Sequence, residues 1–318
     1  MTKKRVKKPV RRKKRSRSKR PATRQMAKAV GLLSILVLLV VGAGLLMRHI
    51  IQPPTDGVPP DRTQPPRYEV FPKQAMAPKP IRKLKQPPGD RVPKVAIILD
   101  DIGYDLVAAQ QFMALDTHLT YSVLPHGPYS RSLAAQARAQ GHEIMLHLPM
   151  EPTEFPAIDP GPGALLSRMS PDELISTLQL NLDMIPGLSG VNNHMGSSMS
   201  TSPEQMRQIF SILKKHDLYY IDSRTTSQTV ARSSAALLRL RFAERDIFID
   251  HHEEEPFIRV QLDKLIKRAQ RQGYALGIAH PHAITYRVLA DYLPRLKEAV
   301  ELVPASKVVA AYMQARLD

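Results

Sequence analysis

The sequence predicts an α/β domain over residues 94–318, with a parallel sheet rolled toward a (β/α) barrel. Three observations predict it. Short apolar runs and amphipathic runs alternate along the stretch, about eight of each, which is the pattern of repeated β–α units. The run KVAIILDDIG at 94–103 is apolar from Val95 to Leu99 without polar alternation, as in a strand buried on both faces. Finally, Asp100, Asp101, His126, His147, His194, Asp222, Asp250 and His280 all fall at or just past the ends of strand-like runs. Charged and imidazole groups are costly in a barrel core, but they converge at the C-terminal face, where such folds keep their sites.

Taken in order, the run at 94–103 delivers two adjacent carboxylates, and Gly103 then lets the chain turn. An Asp pair at that place either serves the site or caps the following helix. A helix is predicted over about 105–115, a strand over 119–124 ending in Pro125 and His126, and a helix over about 130–139 stopped by Gly141. The strand 142–147 delivers His147 and runs into LPMEP at 148–152, followed by a Pro- and Gly-rich loop up to Gly163. A loop of that length reads as functional. Ser170, Pro171 and Glu173 have the order of an N-cap, a first-turn proline and a capping-box acid, so a helix runs from there to about 184. Ser202, Pro203 and Gln205 repeat the device. Between them, LSGVNNHMGSS at 188–198 reads as a short strand ending in Asn192, Asn193 and His194. Strands at 218–221, 246–249 and 274–279 end in Asp222, Asp250 and His280, and a last strand near 300–303 precedes a helix from about 306.

The 318-residue chain has a formal charge of +17, yet residues 1–28 alone hold 15 Lys and Arg and no acid. From Lys94 onward there are 22 Lys plus Arg against 25 Asp plus Glu, so the folded part offers no basic field for nucleic acid. The basic tail is followed by AVGLLSILVLLVVGAGLLM at 29–47, 19 residues without a charge between Lys28 and Arg48. As a helix it would be about 28 Å long, enough for a bilayer core of about 30 Å. Its small residues lie inside the run rather than after it, so it reads as an uncleaved signal anchor. The basic flank places residues 1–28 in the cytoplasm and sends the rest outward from the inner (cytoplasmic) membrane, into the periplasm or another extracytoplasmic space. Residues 48–93, rich in proline, cannot bury a core and form a linker. The absence of cysteine excludes disulfides and thiolate metal ligands.

Carboxylate and imidazole without thiolate is a ligand set for a catalytic divalent ion such as Zn²⁺, in which two His and one Asp leave a position open for water. A second carboxylate beside it would take a proton from that water, and a His across the site would protonate a leaving amine. Asp100, Asp101, His147, His194 and His280 suffice for these roles, although no local metal signature such as HExxH is present. The cluster His251, His252, Glu253, Glu254 and Glu255 reads instead as a solvated loop before a helix, its acids favouring the helix start.

LDD at 99–101, GHEIMLHLPMEP at 141–152, NNHMGSS at 192–198, DSRTT at 222–226 and IAHPH at 278–282 together resemble the divergent branch of the polysaccharide deacetylases. The resemblance spans essentially all of residues 94–318. It implies a distorted barrel of about seven strands, a metal-dependent site, and deacetylation of a carbohydrate substrate. In ordinary members the first Asp of the pair is the base and the second binds the metal, which points to Asp100 and Asp101. His147 matches the first imidazole of a His-x-x-x-His metal motif, but Glu151 stands at the second. Either Glu151 ligates or His194 takes over, and His194 keeps the set of one Asp and two imidazoles. His280 matches the general acid. Asp222 and Arg224 then orient the ligands or the substrate, and Asn192 and Asn193 either bind sugar hydroxyls or serve the turn before Gly196.

Two functions of different kind are compatible with these residues: a membrane-anchored, metal-dependent deacetylase of an envelope polysaccharide, or a glycan-binding scaffold that has lost hydrolysis. With 5% aromatic residues and no Trp, stacking platforms for sugar rings are few, Tyr104, Tyr121 and Tyr129 being the candidates.

Overall fold

The computed structural model describes residues 92–316. The basic tail, the apolar run 29–47 and nearly all of the linker lie outside the described residues. Among the described residues no helix is long and apolar enough to cross a membrane.

The chain forms one parallel sheet with helices between its strands. The strands are β1 (Lys94–Ile102), β2 (Thr120–Val123), β3 (Glu143–Met150), β4 (Gly190–Met195), β5 (Tyr219–Asp222), β6 (Phe242–Glu244), β7 (Ile247–Phe248), β8 (Tyr274–Ala279) and β9 (Glu301–Leu302). The helices are α1 (Leu106–Met113), α2 (Ser130–Ala139), α3 (Pro171–Met184), α4 (Pro203–Lys215), α5 (Ala231–Leu238), α6 (Glu255–Gln272), α7 (Ala283–Ala299) and α8 (Ala305–Gln314), with a short 3₁₀ turn at Met199–Thr201. Seven strands have three residues or more, matching the expected number, while β7 and β9 have two each. The strict alternation fails in one place: β6 and β7 follow one another with only Arg245 and Asp246 between them.

The sheet order is β6-β5-β4-β3-β2-β1-β8-β7, with β9 beside the start of β1. Every pairing is parallel, as β–α crossovers require. No ladder joins β6 to β7 among the described residues, so the barrel stays open there. The sheet is nevertheless curled. Helix α8 packs against β1, β5, β6 and β8. Strands β6 and β8 lie six places apart, about 29 Å in a flat sheet, whereas a helix is about 10 Å wide. Only a sheet wrapped around α8 lets one helix touch both. The start of α8 is tied to the beginnings of strands, Ala305 N donating to Thr120 Oγ1 and Ser306 N to Glu143 Oε1. The C-terminal helix therefore plugs the lower end of the half-barrel and leaves the upper end open.

Because strand side chains alternate between faces, each strand sorts its own residues. On β1, Val95, Ile97 and Leu99 enter the core between sheet and outer helices. Ala96 and Ile98 face the inner core with Val308 and Val309 of α8. The same division separates Leu146 and Leu148 from Met145 on β3, and Ala275 and Ala279 from Leu276 and Ile278 on β8. Residues in phase with the inner set point into the half-barrel, and those out of phase point to the helices. The anticipated caps hold the helices: Ser170 and Glu173 form a complete capping box on α3, and Ser202 accepts from Gln205 N on α4.

Candidate active site

Alternation decides which strand-end residues meet. Asp100 is in phase with Ala96 and Ile98, His147 with Met145, Asn192 and His194 with each other, and His280 with Leu276 and Ile278. All of these side chains reach the inner, upper end and are buried there. Asp101 is out of phase and would face the helices. It does not, because its φ of +58° places it in the left-handed region and the β1–β2 register shifts between Leu99 and Ile102. Such strained backbone in a non-glycine residue concentrates at functional sites. The helix-cap role open to the pair falls to Asp105 instead, whose Oδ1 accepts from Ala108 N.

Three ligand atoms converge. Asp101 Oδ1 lies 3.1 Å from His147 Nε2 and 3.0 Å from His194 Nδ1, and the two ring nitrogens are 3.1 Å apart. The three residues form one of two groups among the described residues with metal-ligand spacing. Asn192 explains their protonation. Its Nδ2 donates to Asp100 Oδ1 at 2.8 Å, since a carboxylate only accepts, so its Oδ1 faces His147 Nδ1 at 2.8 Å. His147 must donate from Nδ1, and in the neutral ring Nε2 then presents a lone pair to Asp101 and His194. Two lone pairs and a carboxylate oxygen at this spacing repel one another unless a cation or a shared proton lies among them. This donor set fits a divalent ion of the zinc type. His194 Nε2 is buried with no hydrogen-bond partner among the described residues.

Glu151 is not part of this group. Its carboxylate accepts from Ser167 N at 2.8 Å and Ser198 Oγ at 3.4 Å, so it staples the loop after β3 to the turn after β4. Between the two third-ligand alternatives, the geometry sets His194 beside Asp101 and His147.

The two carboxylates are tuned in opposite directions. Burial pushes Asp100 above the usual carboxylate range, against the pull of His147, His280 and the Asn192 hydrogen bond. Burial acts on Asp101 too, but His194 and His147 outweigh it and hold the group well below that range. Asp100 Oδ2 is 3.8 Å from His147 Nε2, so a basic carboxylate stands beside the ligand group.

Across the mouth, His280 Nε2 is 3.9 Å from Asp101 Oδ2. Its Nδ1 lies 3.0 Å from Asp250 Oδ1, while Asp250 Oδ2 accepts from His280 N and Thr285 Oγ1. Phe248 lies against its ring, centroids 5.2 Å apart and planes at 21°. Burial lowers the imidazole, yet Asp250 outweighs it and the pKa rises to about 9. The pairing of Asp250 with His280 was visible in the sequence only as two polar strand ends. Asp250, His280 and His282 make the second group with ligand spacing, but Asp250 Oδ1 and His280 Nδ1 are taken up by one another as a carboxylate–imidazole pair.

The remaining candidates sort by face. Asn193 is out of phase with Asn192: its Oδ1 accepts from Tyr220 Oη and Ser223 N, and its Nδ2 donates to Met195 O. Both amides are engaged within the protein: one orients His147, the other fastens β4 to β5. Asp222 is buried, its oxygens taken by Arg224 N and Thr229 Oγ1. Arg224, with φ +54°, sends its guanidinium to Glu244. His126 is taken by Asn181 of α3. Residues 251–255 are exposed and lead into α6, as the loop reading expects. Tyr121 is fully buried and is no sugar platform, whereas Tyr129 is exposed. Sequence reasoning missed Arg245, which lies in the β6–β7 gap; a lone Arg beside other charged residues carries no signal.

Comparison with known proteins gives the family and supports the fold. Residues 97–309 match the divergent polysaccharide deacetylase family. The chain is 34% identical to the uncharacterized protein YibQ of Escherichia coli K12, over 68% of this chain and 67% of that one. An uncharacterized Haemophilus influenzae protein is 31% identical, over 66% of this chain and 74% of its own. Among solved structures, an uncharacterized protein of Agrobacterium tumefaciens superposes with a TM-score of 0.65 at 23% identity, covering 76% of this chain and 99% of that one, which supports the fold.

Proposed function

This chain belongs to the divergent polysaccharide deacetylase family, and from that premise we propose that it is a metal-dependent hydrolase that removes acetyl groups from an envelope carbohydrate. The observation that carries the reading is the convergence of Asp101 Oδ1, His147 Nε2 and His194 Nδ1, with Asn192 holding His147 in the ligating tautomer. These three residues would hold the ion. When bound, a divalent ion such as Zn²⁺ supplies Lewis acidity, polarising a carbonyl and making water acidic enough to attack near neutral pH.

The protein's own groups do the rest. Asp100, kept basic by burial and oriented by Asn192, takes the proton from the attacking water. His280, held protonated by Asp250, gives a proton to the departing amine. Asp250, Thr285 and Phe248 fix the imidazole so that it needs no reorganisation at that moment. In this reading residues 29–47 anchor the enzyme in the inner membrane and residues 48–93 hold the catalytic domain in the periplasm. The basic flank and the 19-residue uncharged run support that placement.

The test is metal content together with acetate release from N-acetylated glycans by the full-length protein. About one zinc per chain is expected, lost in His147→Ala and His194→Ala. Asp100→Asn should keep the metal and lose activity by about 100-fold or more, the contribution of a positioned base. Glycan binding without acetate release, with zinc bound, would move the function to an inactive scaffold.

A further inference from the structure

Arg245 is the unusual cation of this fold. It sits between β6 and β7, where the sheet does not close, and is part-buried. Its Nε donates to Ser223 O at 2.7 Å and its Nη2 to Arg224 O at 3.2 Å. Its guanidinium lies over the Phe248 ring, 4.8 Å from the centroid. Phe248 is the ring stacked on His280, so the arginine belongs to the wall of the catalytic mouth.

What it lacks is a carboxylate. Arg224 pairs with Glu244 and Arg268 with Asp246, but Arg245 makes no ion pair among the described residues. The three carboxylates whose charge reaches it, Asp222, Asp100 and Asp246, are committed elsewhere, Asp246 to Arg268 and Leu276 N. Asp222 spends its oxygens on Arg224 N and Thr229 Oγ1. Asp100 takes the Asn192 amide on Oδ1, and its Oδ2 faces His147. Burial lowers the guanidinium to about 10 in spite of these three acids, so the charge is not fully compensated. A guanidinium has five N–H donors in a rigid fork. Two are fixed on backbone carbonyls and three are left, in the geometry that grips a carboxylate or phosphate with two bonds. A part-buried charge held by backbone and left without a counter-ion is costly unless a ligand supplies one.

We infer that Arg245 is the specificity residue of this site and binds an anionic group, carboxylate or phosphate, carried by the sugar whose acetyl group is removed. The inference rests on the deacetylase reading above and narrows it from carbohydrates in general to acidic N-acetylated sugars. Its anchoring on two carbonyls and an aromatic face means that the cation is already oriented when the substrate arrives, so little entropy is lost in engaging it.

The test is equilibrium binding of three sugars to the zinc-loaded full-length protein: N-acetylglucosamine as the neutral probe, N-acetylmuramic acid as the carboxylate, and N-acetylglucosamine 6-phosphate as the phosphate. Zinc content and acetate release are followed in the same samples. At least one charged sugar is expected to bind about tenfold or more tightly than the neutral one, and which of the two does so names the anion. Arg245→Gln should bring that sugar to within about threefold of the neutral probe with zinc content unchanged, while Arg245→Lys, a point charge without the fork, should keep part of the preference. Equal affinity for all three sugars in the wild-type protein overturns the inference whether or not the variants fold, as does a preference that survives Arg245→Gln. Failure to take up zinc would instead defeat the deacetylase reading on which the inference stands.

Discussion

Two adjacent asparagines should behave as opposites. Asn192 and Asn193 are neighbours in β4, yet one faces the half-barrel and the other the helices. Asn193→Ala removes the acceptor of Tyr220 Oη at 3.1 Å and of Ser223 N at 2.9 Å, and the donor to Met195 O at 2.7 Å. At about 1 kcal/mol for each bond, the loss is about 3 kcal/mol, or a fall in Tm of about 6–12 °C for a domain of this size. Asn192→Ala also removes three bonds, to Ser122, His147 and Asp100, and should destabilise by a comparable amount. Only Asn192 fixes the His147 tautomer, and loss of such an outer partner weakens metal binding by about 10–100-fold. Calorimetric melting of the chelator-treated protein and competitive zinc titration of the same preparations separate the two effects. The reasoning fails if Asn193→Ala loosens zinc as much as Asn192→Ala does, or if Asn192→Ala leaves zinc affinity within about threefold of wild type.

Further outcomes follow from single contacts. His280, with a folded pKa of about 9 against an ordinary value of 6.5, contributes stability that is fully present below about pH 6.5 and is lost as pH rises through about 9. Its size is about 3 kcal/mol, and denaturant unfolding of the chelator-treated protein across that window should show the decline in wild type and a clearly shallower one in Asp250→Asn; equal slopes would dissociate the two residues. Glu151→Gln should leave zinc affinity within about threefold, because its carboxylate holds Ser167 N and Ser198 Oγ rather than the ligand group. A loss of zinc there would restore Glu151 as a ligand. Ser170→Ala removes the cap of α3 and should lower stability by about 1 kcal/mol in urea unfolding without altering zinc content.

Much of this architecture was legible because its signals are short-range. The strands at β1 and β8 are continuous apolar runs, and the starts of α3 and α4 are written in Ser-Pro-x-acid and Ser-Pro-x-Gln patterns. What escaped was weakly coded. Strand β6 has only three residues, Phe242–Glu244, flanked by arginines in RLRFAER, so no run of apolar residues marks it, and α5 before it is only eight residues long. In the candidate site, the residue types and their strand-end positions were legible for Asp100, Asp101, His147, His194 and His280. The partnership of Asp250 with His280 joins residues 30 apart, and the one between Asn192 and Asp100 joins residues 92 apart. Neither carries a local spacing.

The sequence by itself determined a parallel α/β domain, the strands that would end in acid or imidazole, and a ligand set of carboxylate and histidine without cysteine. Hydrophobic runs, caps and residue chemistry are properties of a few neighbouring residues, and they survive in the linear chain. The tertiary structure alone decided which of those residues face one another. The curl of the sheet around α8 turned one face of every strand inward and left Asn193 and Asp222 outside it. The left-handed turn at Asp101 brought an out-of-phase carboxylate back to His147 and His194. Tertiary structure also set His194 rather than Glu151 beside Asp101 and His147, because lateral register between β3 and β4, with Pro149 opposite His194, is a property of paired strands and not of either one.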